Sequence, residues 1–135
     1  MAQTITRGFR QLVDEALAKV KTLEPLDALR LFGRPDTVFV DLRDPRERER
    51  EGIIPGAFHC PRGMLEFWVD PVSPYHKPIF AEDKSFIFFC AGGWRSALGA
   101  KTAQEMGLHP VSHIYGGFSA WREAGGPTAP LTSRG

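Results

Sequence analysis

Ser85-Phe86-Ile87-Phe88-Phe89 is wholly apolar after its first residue and runs straight into Cys90-Ala91-Gly92-Gly93. A short, continuous apolar run bounded by a glycine turn suits a strand covered on both faces. Cover on both faces means helices above and below a mainly parallel sheet. Thr37-Val38-Phe39-Val40 has the same character, and Ala57–Cys60 and Val111–Tyr115 are shorter candidates of the same kind. Parallel neighbours need crossover connections, so helices should fill the gaps between these runs.

The gaps read that way. Phe9, Leu12, Val13, Ala16, Leu17 and Val20 recur at the spacing of one helical face. Pro25 suits the first turn of a second helix ending near Gly33. At Asp44-Pro45-Arg46-Glu47 an N-cap, a proline at the first position and a glutamate three residues on make a capping box. The mixed charges from Arg43 to Glu51 suit a solvated helix face closed by Gly52. A brief helix is expected over 64–69, in an otherwise irregular stretch holding Pro61, Pro71, Pro74 and Pro78. Ser96–Met106 reads as a helix closed by Gly107, and Ser119–Ala124 as a last short one.

The chain's 135 residues fit one domain. Lys and Arg total 17 against 16 Asp and Glu, a net charge of +1. That balance gives no electrostatic reason to expect nucleic acid or an anionic membrane as partner. No apolar run reaches the ~20 residues of a membrane span, and Met1 to Arg10 lacks a signal-peptide core. Two cysteines are too few for a disulfide framework, so the expected location is the reducing cytoplasm.

In an α/β sheet, ligands gather at the carboxyl ends of the strands. Cys90 stands at that end of the strongest strand. The loop Cys90-Ala91-Gly92-Gly93-Trp94-Arg95-Ser96 then joins strand to helix. Small residues let several backbone N–H groups turn inward, and the following helix N-terminus favours an anion there. The anion is the Cys90 thiolate or an oxyanion bound to its sulfur. Arg95 closes the loop with a planar fork suited to oxyanions. This reading requires the loop amides to face a sulfur that is not sealed from water.

The loop resembles the active-site loop of the rhodanese (sulfurtransferase) family. Val40-Asp41-Leu42-Arg43 through Gly52-Ile53-Ile54-Pro55-Gly56-Ala57 is similar to that family's first signature. Tyr115-Gly116-Gly117-Phe118-Ser119-Ala120-Trp121 is similar to its last. The chain departs from the pattern at Ile53, where the signature has histidine, and in one extra residue between Glu47 and Gly52. The resemblance implies a three-layer α/β/α rhodanese-like domain with a mainly parallel five-stranded sheet over residues 20–127. Residues 1–19 are then an N-terminal amphipathic helix extension, and residues 128–135 a flexible tail.

It also implies a mechanism. Cys90 is the nucleophile: it takes sulfane sulfur from a donor such as thiosulfate, carries it as a persulfide and hands it to a thiophilic acceptor. Ala91, Gly92, Gly93, Trp94, Arg95, Ser96 and Arg43 are the expected substrate-binding residues, with Trp94 over the pocket mouth. No cofactor and no metal are implied. His59, His76, His109 and His113 have no metal-ligand spacing with the cysteines. The expected partners are a small sulfur-containing anion or thiol, or a protein that accepts sulfur.

Two alternatives stay open: a non-catalytic binding or regulatory module of the same fold, and a phosphatase or arsenate reductase. The latter use five residues between Cys and Arg, and this loop has four. Cys60 reads as a small core residue. Asp41 and Arg43 read first as a structural ion pair, with Arg43 adding positive potential near the pocket. Gly116, Gly117 and Trp121 read as turn and packing residues. Trp68, Tyr75 and His76 read as a surface loop, with a pocket wall as the lesser option. The Phe9–Val20 stripe is expected to dock on its own domain.

Overall fold

Successive side chains of a strand leave on opposite faces, and that rule divides the core in two. In the strand β4 (Ser85–Phe89), Phe86 and Phe88 enter one apolar cluster and Ile87 and Phe89 the other. In β2 (Thr37–Asp41), Val38 and Val40 join the first cluster and Phe39 the second. The computed structural model, which describes residues 2–132, places helices over both faces.

In chain order, α1 (Phe9–Lys19) precedes β1 (Lys21–Leu23) and α2 (Pro25–Leu31). After β2 come α3 (Pro45–Glu51), β3 (Phe58–His59) and α4 (Leu65–Val69). After β4 come α5 (Trp94–Met106), β5 (Val111–Ile114) and α6 (Gly117–Glu123). The five strands lie in the order β1-β5-β4-β2-β3, and every pairing is parallel. Leu65 and Val69 of α4 and Ala100 and Ala103 of α5 cover the first face. Ala28 of α2 and Phe118 and Trp121 of α6 cover the second. The result is the three-layer α/β/α architecture that the uninterrupted apolar strands imply.

The capping box forms as read. The Asp44 carboxylate accepts from the N–H groups of Arg46 and Glu47, and the Glu47 carboxylate accepts from the Asp44 N–H. Other boundaries move. β1 is an edge strand of three residues, too short and too polar to announce itself by periodicity. α5 begins at Trp94, two residues before the expected Ser96. α6 likewise begins at Gly117 rather than Ser119.

α1 packs on α5 through buried Val13 and Ala16, with Val20 buried just beyond its end. Phe9, Leu12 and Leu17, from the same stripe, stay exposed. The tail expected to be free from Thr128 onward is held at Ala129, which exchanges both backbone hydrogen bonds with Ile53. Residues 133–135 of that tail lie outside the described residues. No helix among the described residues is long and apolar enough to cross a membrane.

Candidate active site

β4 delivers Cys90 to the carboxyl edge of the sheet, and α5 starts three residues later at the N-cap Gly93. Gly93 adopts φ +113°, which turns the chain sharply enough to bring the helix start over the sulfur. The Gly93 N–H donates to Cys90 Sγ at 3.1 Å and the Ser96 N–H at 3.4 Å. Ser96 Oγ lies 3.6 Å from the same sulfur. The positive end of the α5 dipole therefore meets Sγ directly.

The other side of the loop is fixed by α6. The Phe118 N–H donates to the Cys90 carbonyl at 2.8 Å, and the Ser119 N–H to the Ala91 carbonyl at 3.2 Å. With those carbonyls drawn outward, peptide planarity turns the next N–H groups, of Ala91 and Gly92, the opposite way. Gly117 makes this approach possible. A β-carbon there would stand 2.5 Å from the Cys90 carbonyl oxygen and 2.7 Å from that of Ala91.

Cys90 is 1% exposed, yet it forms the floor of a cavity of about 400 Å³ with Gly92, Trp94 and Arg95. The sulfur is recessed and still faces a space open to a small ligand. Ala91 and Gly93 shape the turn without lining that cavity, and Ser96 lies beneath it, fully buried. Trp94 is half exposed beside the opening, with its ring centroid 4.8 Å from that of Phe9 on α1. The guanidinium of Arg10 stacks over both rings.

Arg95 lines the cavity, but its fork is engaged. Nη1 and Nη2 donate to the two Glu47 carboxylate oxygens at 2.7 and 2.8 Å. Arg95 holds the Glu47 carboxyl down at about 2, from the ordinary 4.5, so this pair stays charged across the working range of pH. Glu47 thus serves the α3 cap and the Cys90 loop together. The sequence reading placed it only in the cap, because contacts between residues 48 positions apart leave no local pattern.

Arg43 does not reach the cavity, which corrects its expected place among the substrate-binding residues. It is 1% exposed, with Nε and Nη2 donating to Asp41 at 3.0 and 2.9 Å and Nη2 also donating to the Gly52 carbonyl at 2.8 Å. Its guanidinium stacks 4.2 Å from the Phe118 ring centroid. Arg48 donates to the same Asp41 carboxylate at 3.3 Å. This cluster braces the end of β2 under α6, as the ion-pair reading had it.

Cys60 sits in the first core cluster, and burial pushes its thiol up to about 12. Trp68 packs edge-on against Phe58, and its carbonyl lies 2.9 Å from His76 Nδ1, so neither residue approaches the cavity. His113, considered only as a metal ligand from sequence, proves to lie 3.3 Å from Ser96 Oγ.

The model for the rhodanese-like domain matches residues 24–124. A Rhodopseudomonas palustris protein of unknown function, described as a possible tyrosine phosphatase, is 64% identical. That likeness covers 96% of this chain and 99% of that one, with a TM-score of 0.93. The polysulfide-sulfur transferase homodimer of Wolinella succinogenes is 30% identical, covering 93% of this chain and 89% of that one at a TM-score of 0.68. The mouse thiosulfate sulfurtransferase/rhodanese-like domain-containing protein 3 is 26% identical over 67% of this chain. The matches span 55% and 61% of the lengths of the two curated relatives. With its parallel sheet, its strand-end cysteine loop and a family model matching most of its length, this chain belongs to the rhodanese-like domain family.

Proposed function

We propose that this protein is a sulfurtransferase that carries sulfane sulfur as a persulfide on Cys90. The Cys90 thiolate attacks the outer sulfur of a donor. For thiosulfate, a new S–S bond forms at Sγ, the donor's own S–S bond breaks, and its electron pair leaves with sulfite. An acceptor thiolate or cyanide then attacks the outer sulfur of the persulfide, and Sγ departs as thiolate. Cys90 keeps the sulfur covalently after the first product leaves and before the acceptor reacts, so the kinetics are ping-pong.

The observation that carries this reading is the pair of amides, Gly93 N–H and Ser96 N–H, aimed at a sulfur on the floor of an open cavity. Amides so placed stabilise negative charge on Sγ or on a sulfur bound to it. Gly92, Trp94 and Arg95 would wall the bound donor. The neutral loop and the pairing of Arg95 with Glu47 leave little unbalanced positive charge at the mouth. That charge balance favours a low-molecular persulfide as donor over a small dianion such as thiosulfate, while the likeness to a polysulfide-sulfur transferase adds polysulfide as a second candidate on separate grounds. We place the reaction in the cytoplasm, where both cysteines stay reduced.

The phosphatase reading has the likeness to the R. palustris protein behind it. Against it stand the four-residue loop and an Arg95 fork already bound to a carboxylate. One experiment separates the readings. The protein is incubated with polysulfide or thiosulfate, or with an aryl phosphate, and Cys90 is followed by mass spectrometry. Sulfur transfer predicts one added sulfur on Cys90, none on Cys60, and loss of turnover in Cys90→Ser. Aryl phosphate hydrolysis without sulfur uptake would replace this function with the other. Uptake of neither group, with Cys90 alkylating as slowly as Cys60, would leave a binding module.

A further inference from the structure

His113 is a buried titratable side chain that the sulfur chemistry leaves without a task. It is 2% exposed on β5, in register with Thr22 of β1 on one side and Phe88 of β4 on the other. Its Nδ1 lies 3.3 Å from Ser96 Oγ and its Nε2 lies 2.9 Å from Thr22 Oγ1. Ser96 Oγ is in turn 3.6 Å from Cys90 Sγ. Four side chains make an unbroken line from the recessed sulfur to exposed Thr22.

A neutral imidazole donates from one nitrogen and accepts at the other. Burial keeps His113 neutral, taking its pKa from 6.5 down to about 4. With the proton on Nε2, His113 donates to Thr22 and accepts the Ser96 hydroxyl proton at Nδ1, drawing that proton away from sulfur. With the proton on Nδ1, it accepts from the Thr22 hydroxyl and donates to Ser96 Oγ. The Ser96 proton is then left for Sγ or for the Gly93 carbonyl, 3.2 Å away. A thiol, which brings its own proton to Ser96, matches the first arrangement. A thiolate, which needs a donor, matches the second.

We propose that Ser96, His113 and Thr22 are positioning residues for Cys90, in which the tautomer of His113 switches as the sulfur ionises and the Thr22 hydroxyl partners Nε2 in both forms, accepting from it in one and donating to it in the other. The protons balance. The thiol proton passes to Ser96 Oγ, the Ser96 proton to Nδ1, the Nε2 proton to Thr22 Oγ1 and the Thr22 proton to water. Arg10 and Asp14 of α1, with Tyr115, share a cavity of about 260 Å³ with His113, and their two charges oppose each other. Phe88, Ser96 and Thr22, from the neighbouring elements, bring no charge.

The proposal rests on Cys90 being the nucleophile, and its test separates the two ideas. In the full chain, Thr22→Val removes the outer hydroxyl at an exposed, β-branched position. Valine leaves Nε2 without a partner, so alkylation of Cys90 by iodoacetamide at neutral pH is expected to change by roughly threefold to tenfold, the worth of one hydrogen bond. The alkaline plateau of that rate stays unchanged, and Thr22→Ser restores the neutral rate. Nitrogen NMR of labelled histidine should find His113 protonated at Nδ1 when the ultraviolet thiolate absorbance is present and at Nε2 when it is lost. An unaltered rate profile in Thr22→Val, or one tautomer throughout, overturns the relay. If wild-type Cys90 takes up no sulfur while Thr22→Val still shifts the profile, the sulfur-transfer reading fails and the relay stands.

Discussion

Gly117 holds φ +62° with the carbonyls of Cys90 and Ala91 pressed against the place where a side chain would begin. Gly117→Ala should therefore cost roughly 1–3 kcal/mol from backbone strain, and it should push α6 off the loop. The amides around Sγ would lose their outer anchors. We expect a lower urea midpoint and Cys90 alkylation slowed several-fold, both read on the purified variant. From sequence, Gly117 looked like a turn residue, and a turn it is. Its contact with the cysteine loop, 26 positions earlier, has no sequence signature. Cys90 was legible because a lone thiol at a strand end, followed by two glycines and an arginine, has few other uses. Arg43 was misplaced because a strand-end arginine can point to solvent or fold back, and only the carboxylate of Asp41 and the Gly52 carbonyl decide which.

Among the elements, α3 does two jobs. Its first turn is capped by the Asp44–Glu47 exchange, and the same Glu47 neutralises Arg95 at the cavity. Glu47→Gln keeps a capping side chain but removes the countercharge. KM for thiosulfate is expected to fall about fivefold, equivalent to ~1 kcal/mol, with the gain fading as ionic strength rises. An unchanged KM would mean that Arg95 does not meet the donor. The elements that could be read in advance were those with a strong local signal: the apolar strands β2 and β4 and the capping box of α3. β1 escaped because its three residues gain their place only by pairing with β5. α5 starts early because Gly93 can take a left-handed turn, bringing Trp94 and Arg95 into the first helical turn.

For the molecule as a whole, the parallel order buries His113 at the junction of three strands, and this makes stability depend on pH. Its folded pKa lies below the unfolded value, so the unfolded chain binds a proton first as the solution is acidified. The stabilising contribution is complete above about 6.5 and is lost progressively down to about 4. Glu47 adds a loss of the same sign below 4.5. Denaturant midpoints measured from pH 7 to 4.5 should fall steadily in the wild type, and less so in His113→Gln. The matched family core, residues 24–124, contains Cys90 and its loop but stops short of Phe9, Arg10 and Thr22. Those three lie at Trp94 and at the outer end of the His113 line. A relative with the same core but another preceding segment would keep an identical cysteine loop behind a reshaped doorway, so under the proposed function reactivity and clientele can vary independently in proteins built on this plan.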